Sequence, residues 1–244
     1  MSDLKGRVAL VTGSSSGIGA AIATSLGQLG ARVVVNSATS VTEGRRVAAE
    51  LPDAFYVQAD VADPDRASEL VAAAVEHFGG LDIVVNNAGT TAVIPHHDLD
   101  AATNDIWERI LRVNVIGTWN VIRAAAPHLK ASGDGVIINI TSLAGVRPVG
   151  SSVPYAVSKA ALNHLTVVLA NALGPEIRVN AVAPGLIDTP WTAEWGALRD
   201  AVRATSPLRR TGTPEDVADA CIGLIGARYA TGQVLVVDGG VALR

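Results

Sequence analysis

An apolar strand that runs directly into a glycine-rich turn opens this chain and limits the folds it can adopt. Val8–Val11 is a short valine-rich run, which is typical of a buried parallel strand. Thr12–Gly19 follows with the letters TGSSSGIG, and apolar residues then recur at helical spacing as far as Leu29. Gly30 stands where a left-handed helix cap is expected. The segment therefore predicts a strand, a tight turn and a helix.

A turn of this kind is suited to binding an anion, because backbone N–H groups and the positive end of the helix face the same point. In a dinucleotide site, Gly13 would allow the turn, Gly17 would let a pyrophosphate approach, and Gly19 would let helix pack on strand. The spacing is G-x-x-x-G-x-G rather than G-x-G-x-x-G. A glycine turn alone is weak evidence, but its place between a strand and a helix strengthens the interpretation.

Strand-like and helix-like segments alternate along the rest of the chain, which predicts a doubly wound, seven-stranded parallel sheet of the α/β class. The predicted strands are Val8–Val11, Arg32–Asn36, Phe55–Gln58, Ile83–Val85, Val136–Ile140, Arg178–Ala181 and Val234–Val237. The predicted helices are Gly17–Leu29, Val41–Glu50, Pro64–Phe78, Thr103–Lys130, Pro154–Leu173 and Pro214–Gly226. Because α/β domains reach 244 residues without dividing, residues 1–244 are predicted to form one domain.

Tyr155 and Lys159 are four residues apart on a predicted helix and suggest acid–base chemistry at an oxygen. The lysine lies on the same helical face, and its charge would lower a phenol pKa that is ordinarily about 10. Such a phenol can donate or accept a proton near neutral pH. Ser142, just after an apolar strand, can hydrogen-bond the same oxygen. The pair alone is common on helix surfaces, and the nucleotide site predicted upstream favours the catalytic interpretation.

Together these motifs resemble the short-chain dehydrogenase/reductase family over nearly the whole chain. The family's glycine motif matches Thr12–Gly19, its N-N-A-G motif matches Asn86–Gly89, and its P-G motif matches Pro184–Gly185. The resemblance implies a Rossmann fold and an enzyme that moves hydride between a nicotinamide cofactor and a carbonyl or secondary alcohol. Within the family, the chain looks most like reductases of the 3-oxoacyl-[acyl-carrier-protein] type.

The resemblance also implies which residues do the chemistry. Tyr155 would donate the proton, Lys159 would hold the nicotinamide ribose, Ser142 would orient the carbonyl, and Asn114 would hold a water that links the lysine to solvent. Asp60 would accept a bond from the adenine amino group. The implied cofactor-binding residues are Gly13, Ser15, Ser16, Gly17, Ile18, Gly19, Asn36, Ser37, Ala38, Thr39, Asp60, Val61, Asn87, Ala88, Gly89, Tyr155, Lys159, Pro184, Gly185, Ile187 and Thr189.

The end of the second strand decides which nicotinamide cofactor is expected. An NAD enzyme usually places an acid there for the ribose hydroxyls, and no acid is present. NADP-preferring members of the family usually carry an arginine at the position of Ala38 or of Ser16, and neither is basic. The hydroxyls of Ser37, Thr39 and Ser40 could bind a phosphate instead. NADP is therefore expected over NAD, with a modest preference.

The segment after Pro184–Gly185 is predicted to form a lid over the substrate. Trp191 and Trp195 could wall the carbonyl group or simply pack the lid on the body, and both interpretations stay open. Four arginines there could attract an acidic carrier, but solvated surface charge is the simpler interpretation: Arg199, Arg203, Arg209 and Arg210. His96 and His97 have no cysteine or carboxylate pattern around them, so no metal site is predicted.

Two helices carry apolar surface beyond what the sheet needs. The residues concerned are Trp107, Ile110, Val113, Gly117 and Thr118 on one helix, and Ala160, Ala161, Leu165, Val168 and Leu169 on the other. The family commonly forms homotetramers through these two helices and the C-terminal strand region, so a homotetramer is expected. The alternative is that these positions only pack on the sheet.

Composition narrows the functional classes. A net charge of −4 and the absence of a dense Lys/Arg block argue against a nucleic-acid partner. No apolar run approaches the roughly 18 residues that span a bilayer, and no signal-like core precedes the first strand, so a cytoplasmic protein without a membrane partner is expected. The single Cys221 lies in an apolar segment and is predicted to be a core residue.

Three functions remain open on sequence alone. The first is an NADP-dependent ketoreductase acting on a 3-oxoacyl thioester or a similar ketone, which could be carrier-bound. The second is an NAD-dependent dehydrogenase of a sugar, polyol or hydroxysteroid. The third is a catalytically idle nucleotide-binding regulator, which has no chemical reason to keep an Asn-Ser-Tyr-Lys set. A methyltransferase also uses a glycine turn, but it needs no Tyr-x-x-x-Lys.

Overall fold

Seven parallel strands form one sheet with helices on both faces, as the sequence predicted. The computed structural model describes residues 4–243. The strands are β1 Val8–Val11, β2 Arg32–Ser37, β3 Ala54–Gln58, β4 Ile83–Asn86, β5 Gly135–Ile140, β6 Ile177–Pro184 and β7 Val234–Val237. Their order in the sheet is β3-β2-β1-β4-β5-β6-β7. The direction of winding therefore reverses between β1 and β4, where α/β sheets form a ligand crevice at the strands' carboxyl ends.

The helices match the predicted segments with two differences. They are α1 Gly17–Gln28, α2 Val41–Ala49, α3 Pro64–Phe78, α4 Asn104–Leu111, α5 Thr118–Ala131, α6 Val153–Leu173, α7 Gly196–Thr205 and α8 Pro214–Gly226. The long helix predicted over Thr103–Lys130 is interrupted by a π-helical turn, Arg112–Gly117, which joins α4 to α5. Helix α7 was not predicted at all.

The strands alternate their side chains between two separate apolar layers. Ala9 and Val11 of β1 face the layer formed with α1, α2 and α8, whereas Val8 and Leu10 face the layer formed with α3 and α5. Burial on both faces explains why these strands are continuously apolar in sequence. Cys221 of α8 is fully buried in the first layer, so its prediction as a core residue is confirmed.

Capping residues fix where helices begin and end. The Asp63 side chain accepts bonds from the amides of Asp65 and Arg66 at the start of α3. Gly30 has a positive φ of 87° after α1, which confirms the left-handed cap expected there. Within residues 4–243, no helix combines the length and the hydropathy that crossing a membrane requires.

Part of the predicted surface for self-association is wrong. Ile110, Gly117, Thr118 and Leu169 are buried within the chain, because α4–α5 and α6 pack them against the sheet and neighbouring segments. Val168 of the predicted surface is exposed on α6. Four apolar residues outside the predicted set are also exposed: Ile116 in the π-helical turn, Trp119 on α5, and Val157 and Val167 on α6.

Candidate active site

The glycine turn joins β1 to α1 through backbone conformations that favour glycine. Gly13 and Gly17 have positive φ values of 61° and 53°. At Gly19, an added Cβ would lie 2.5 Å from both Asn87 Nδ2 and the Gly13 carbonyl oxygen. The start of α1 therefore packs closely at this glycine, although against its own turn and the segment after β4 rather than against the strand that the sequence predicted.

Thr12 and Asn87 lock together the two strands that flank the crevice. Thr12 Oγ1 accepts bonds from the amides of Asn87 at 3.0 Å and Ala88 at 3.1 Å. Asn87 Nδ2 donates to the carbonyl oxygens of Thr12 at 3.0 Å and Gly13 at 2.9 Å. The glycine turn and the N-N-A-G segment therefore form one hydrogen-bonded unit at the point where the sheet reverses its winding.

A cavity of about 1010 Å³ lies over this unit. It brings together most of the predicted site residues: Gly13, Ser16, Gly17, Ile18, Asn87, Ala88, Gly89, Ser142, Tyr155, Lys159, Pro184, Gly185, Ile187 and Thr189. The cavity joins a glycine cradle at the end of β1 to a Ser-Tyr-Lys group beside β5. A dinucleotide fits this arrangement, because the cavity runs from the glycine turn at the N-terminus of α1, which favours phosphate, to the Ser-Tyr-Lys group.

Helix α6 brings the tyrosine and the lysine beside Ser142. Ser152 caps its start by accepting a 3.4 Å bond from the Tyr155 amide. An added Cβ at Gly145 would lie 2.6 Å from the Lys159 carbonyl carbon, so the loop after Ser142 reaches the helix only because this residue is glycine. Ser142 Oγ accepts a 3.1 Å bond from the Ala144 amide, which orients the serine.

Burial shifts the pKa of both titrating groups in this cluster. Burial raises the pKa of the Tyr155 phenol, and a hydrogen bond with Ser142 opposes that shift. Burial lowers the pKa of the Lys159 ammonium to about 8. Lys159 Nζ lies 5.7 Å from the Tyr155 ring centroid and donates a 2.9 Å bond to the Ile140 carbonyl oxygen. The net shift of the phenol pKa is thus opposite to the lowering expected from Lys159, because desolvation outweighs the opposing hydrogen bond with Ser142.

Asn114 sits in the π-helical turn and is fully buried. Its Oδ1 accepts a 2.7 Å bond from the Thr90 amide, and its Nδ2 donates to the Thr90 carbonyl oxygen at 3.0 Å and to Ser158 Oγ at 2.9 Å. The side chain therefore ties the segment after β4 to α6. The predicted water relay through Asn114 stays a prediction.

The expected phosphate contact from Ser37 does not fit the observed geometry. Ser37 is buried, and its Oγ lies 2.8 Å from Tyr56 Oη and donates to the Ser40 carbonyl oxygen at 3.0 Å. The hydroxyl is thus engaged inside the protein by a residue of the neighbouring strand. Ala38 and Thr39, the next two residues, are exposed and remain available at the end of β2.

Eight other predicted cofactor residues do not line the cavity. These are Ser15, Gly19, Asn36, Ser37, Ala38, Thr39, Asp60 and Val61. The Asn36 Oδ1 accepts from the Gly13 amide at 3.3 Å, and its Nδ2 donates to the carbonyl oxygens of Val57 and Ala59 at 3.1 Å each. Asp60 is exposed, and its Oδ1 accepts a 3.0 Å bond from the Ala62 amide.

The substrate end of the cavity is lined by segments that sequence reasoning largely missed. Its apolar wall comes from two loops, the lid with α7, and the C-terminal turn: Val93, Ile94, Pro95, Pro148, Val149, Leu186, Pro190, Trp191, Trp195, Ala197, Leu198, Val202 and Val241. Both lid tryptophans are among them, which supports the wall rather than the packing interpretation. The spacing of Ala197, Leu198, Ala201 and Val202 was the signal for α7.

Taken together, a dinucleotide crevice at the switch point of a parallel sheet and an adjoining Ser-Tyr-Lys group define a nicotinamide-dependent oxidoreductase. Comparisons with known proteins agree. The family model described as "Enoyl-(Acyl carrier protein) reductase" matches residues 13–242. A protein of Streptomyces violaceoruber, whose name describes it as ketoacyl reductase 2 of the granaticin polyketide synthase, is 59% identical over 239 residues, covering 97% of this chain and 96% of the relative.

Further relatives carry different substrate names. A 3β-hydroxysteroid dehydrogenase of Eggerthella lenta is 40% identical, covering 99% of this chain and 95% of the relative. The solved structure of a dehydrogenase/reductase from Sinorhizobium meliloti superposes with a TM-score of 0.91 at 36% identity, covering 98% of this chain and 96% of that one. The chain belongs to the short-chain dehydrogenase/reductase family, and it is an enzyme that acts on a carbonyl or CH–OH group with NAD(P).

Burial of the charged Lys159 side chain should lower the free energy of unfolding. A pKa lowered from 10.5 to about 8 corresponds to about 3 kcal/mol against folding while the group is charged in both states. We expect Lys159→Met to raise the unfolding free energy at pH 7 by about 1–3 kcal/mol, since the lost bond to Ile140 offsets part of the gain. The cost is complete below pH 8 and fades as pH rises towards 10.5, so the gain should shrink over that range.

Urea unfolding of the wild type and the variant from pH 7 to 10.5 measures this difference. Lys130→Met is the control, since Lys130 is exposed and paired with Glu176 at 3.0 Å, and it should show no comparable gain. A Lys159→Met protein that is less stable than the wild type at pH 7 would show that the buried ammonium carries no net cost.

Proposed function

We propose that this protein is a ketoreductase that uses NADPH to reduce a ketone, of the 3-oxoacyl thioester type, to a secondary alcohol. The observation that carries the proposal is the position of Ser142, Tyr155 and Lys159 on one wall of a cavity that also reaches the glycine turn. The 59% identity to a protein named as a ketoacyl reductase supports reduction over the dehydrogenase alternative, since the hydroxysteroid relative is 40% identical.

The site also contains the groups that the reduction of a ketone requires. A bound nicotinamide would supply the hydride to the carbonyl carbon. Tyr155 Oη would donate a proton to the carbonyl oxygen, since a phenol with a pKa of about 10 or above is protonated at neutral pH. Ser142 Oγ donates a hydrogen bond to the same oxygen and stabilises the charge that develops on it. Lys159 would hold the cofactor ribose and return a proton to the tyrosine, and the lysine would then take up a proton from solvent.

Removing the phenol oxygen tests this assignment. We expect Tyr155→Phe to lower kcat/KM for ketone reduction by a factor of about 100 or more, because the general acid is lost, with NADPH affinity nearly unchanged. The measurement is NADPH oxidation with a panel of simple ketones and a 3-oxoacyl-CoA thioester. Tyr229→Phe is the matched control, because Tyr229 is fully exposed. Wild-type protein that reduces no ketone with either cofactor would overturn the proposed function, and an active Tyr155→Phe would overturn the role of Tyr155.

We propose NADP rather than NAD as the cofactor, because β2 ends without an acid that would repel a 2′-phosphate. The groups that would bind the 2′-phosphate belong to the exposed residues Ala38, Thr39 and Ser40, because the Ser37 hydroxyl is hydrogen-bonded to Tyr56. Neutral hydrogen bonds hold a phosphate with modest strength, so the expected preference for NADPH is about tenfold, or about 1.4 kcal/mol.

A carboxylate at Ala38 should reverse the preference. We expect Ala38→Asp to favour NADH, since the new charge is exposed where the 2′-phosphate would lie. Ser37→Asp is the informative comparison, because it would bury a carboxylate beside Tyr56 and the Ser40 carbonyl oxygen and should lower stability instead. Ratios of kcat/KM for the two cofactors decide the matter. A native preference for NADH would contradict the proposal.

We also propose that the chain is one domain and assembles as a homotetramer. Exposed apolar residues on two neighbouring helices support assembly: Ile116 and Trp119 around the start of α5, and Val157, Val167 and Val168 on α6. The cytoplasmic location expected from the sequence stays a prediction.

Light scattering tests the assembly. We expect a mass of about four times the 25.0 kDa chain at micromolar concentration. Val168→Asp should lower that mass by placing a charge in the contact, whereas Leu99→Asp, at an exposed apolar residue outside both helices, should leave it unchanged. A wild-type monomer would contradict the tetramer.

A further inference from the structure

A three-residue segment, Ile187, Asp188 and Thr189, joins the lid to the cofactor crevice. Its outer two side chains and its middle side chain have different surroundings. Ile187 and Thr189 line the cavity. Asp188, between them, instead bonds to residues of the lid and of the loop before α8. An added Cβ at Gly17 would lie 3.3 Å from Thr189 Cγ2, so this segment also touches the glycine turn. Whatever fixes Asp188 therefore fixes the base of the lid against the cofactor site.

Arg199 of α7 supplies that fixation through three separate bonds. Its Nε donates to Asp188 Oδ1 at 2.7 Å, its Nη1 donates to the Ala193 carbonyl oxygen at 2.9 Å, and its Nη2 donates to the Thr192 carbonyl oxygen at 2.7 Å. The other Asp188 oxygen accepts a 2.6 Å bond from Thr211 Oγ1. One guanidinium thus spans the base of the lid, its 3₁₀ turn and its helix. The interpretation of Arg199 as a solvated surface charge is wrong.

Burial makes this ion pair stronger than an ordinary surface pair. The Arg199 side chain is 19% exposed and the Asp188 side chain 38%. In the neighbouring pair, Arg203 is 53% and Asp200 81% exposed, and Arg203 Nη1 lies 3.9 Å from Asp200 Oδ1. The bond from Thr211, followed by those from Arg199, lowers the pKa of Asp188. The Asp188 carboxylate is therefore negatively charged at neutral pH and pairs with the positively charged Arg199 guanidinium.

On the cavity side of the same helix, Ala197, Leu198 and Val202 form part of the substrate wall. Arg199 lies within this stretch of α7 but bonds away from the cavity. The position of the apolar wall over Ser142 and Tyr155 consequently depends on where the guanidinium holds the helix.

We propose that Arg199 and Asp188 are a positioning pair that holds the lid helix over the carbonyl end of the cavity and couples it to the cofactor crevice. The inference rests on the proposed ketone reduction for its kinetic consequences. Neither residue touches the reacting atoms. Loss of the pair should let the apolar wall move while the Ser-Tyr-Lys group stays intact, so substrate binding should suffer more than the chemical step.

Arg199→Met tests the proposal, because methionine keeps an apolar stem and removes the donors. The expected result is a rise of about tenfold in KM for the ketone with kcat within about threefold of the wild type, together with weaker NADPH binding. Arg203→Met is the matched control on the same helix and should change neither constant. Arg199→Lys can bond Asp188 but cannot span all three acceptors, so its KM should be intermediate, and it serves if Arg199→Met does not fold.

A double-mutant cycle separates positioning from general stability. If the two residues act as a unit, Arg199→Met combined with Asp188→Asn should raise KM no further than the worse single variant. An Arg199→Met enzyme with an unchanged KM would overturn the proposal. So would a loss of kcat at constant KM, since that would place the effect on the chemical step.

A second readout remains valid if ketone reduction itself proves wrong. Trp191 and Trp195 lie in the lid, so their fluorescence should change when NADPH is added to the wild type, and Arg199→Met should weaken that response. If the wild type turns over no ketone but still responds more strongly to NADPH than Arg199→Met, the proposed function alone is refuted. An equal response in wild type, Arg199→Met and Arg203→Met would refute the positioning pair alone.

Discussion

A lysine ammonium buried against the end of a central strand organises the catalytic half of this enzyme. Lys159 Nζ donates to the carbonyl oxygen of Ile140, the last residue of β5. This bond fixes α6 at the carboxyl end of the strands, where the cofactor crevice opens. The approach is possible only because Gly145 offers no side chain. The arrangement shows a direct conflict between stability and activity. The charge is desolvated where folding would favour an apolar group, although the proposed proton transfer requires a cation there.

The strands and the catalytic pair could be predicted from local sequence because their signals are local. Valine-rich runs that are buried on both faces need no knowledge of the partner strand, and Tyr155 and Lys159 are neighbours by helical geometry alone. The doubly wound order follows from alternating elements and the handedness of crossovers. Membership of the short-chain dehydrogenase/reductase family confirms the predicted fold, whereas the catalytic roles of Tyr155 and Lys159 stay a prediction.

The parts that sequence reasoning missed depend on contacts between distant segments. From sequence, Ser37 was expected to bind a phosphate, but its hydroxyl is hydrogen-bonded to Tyr56 of the adjacent strand. The residues near Ser37 in sequence do not indicate this partner. Arg199 looked like surface charge because Asp188 and the carbonyl groups it binds belong to a lid whose helix was not anticipated. The phenol pKa was also predicted in the wrong direction, since the depth of burial was unknown and desolvation exceeds the opposing hydrogen bond with Ser142.

The π-helical turn at Arg112–Gly117 has a consequence for how this enzyme can evolve. A π turn holds one residue more than the α-helical turn it replaces, and each residue advances an α-helix by about 100°. Losing a single residue there would leave a regular helix, yet it would rotate the faces on its two sides relative to each other. Asn114 would turn away from Thr90 and Ser158, or Asn120 would leave its bond to the Val61 carbonyl oxygen. The segment therefore cannot lose a residue without breaking the bonds on one side of the turn or the other.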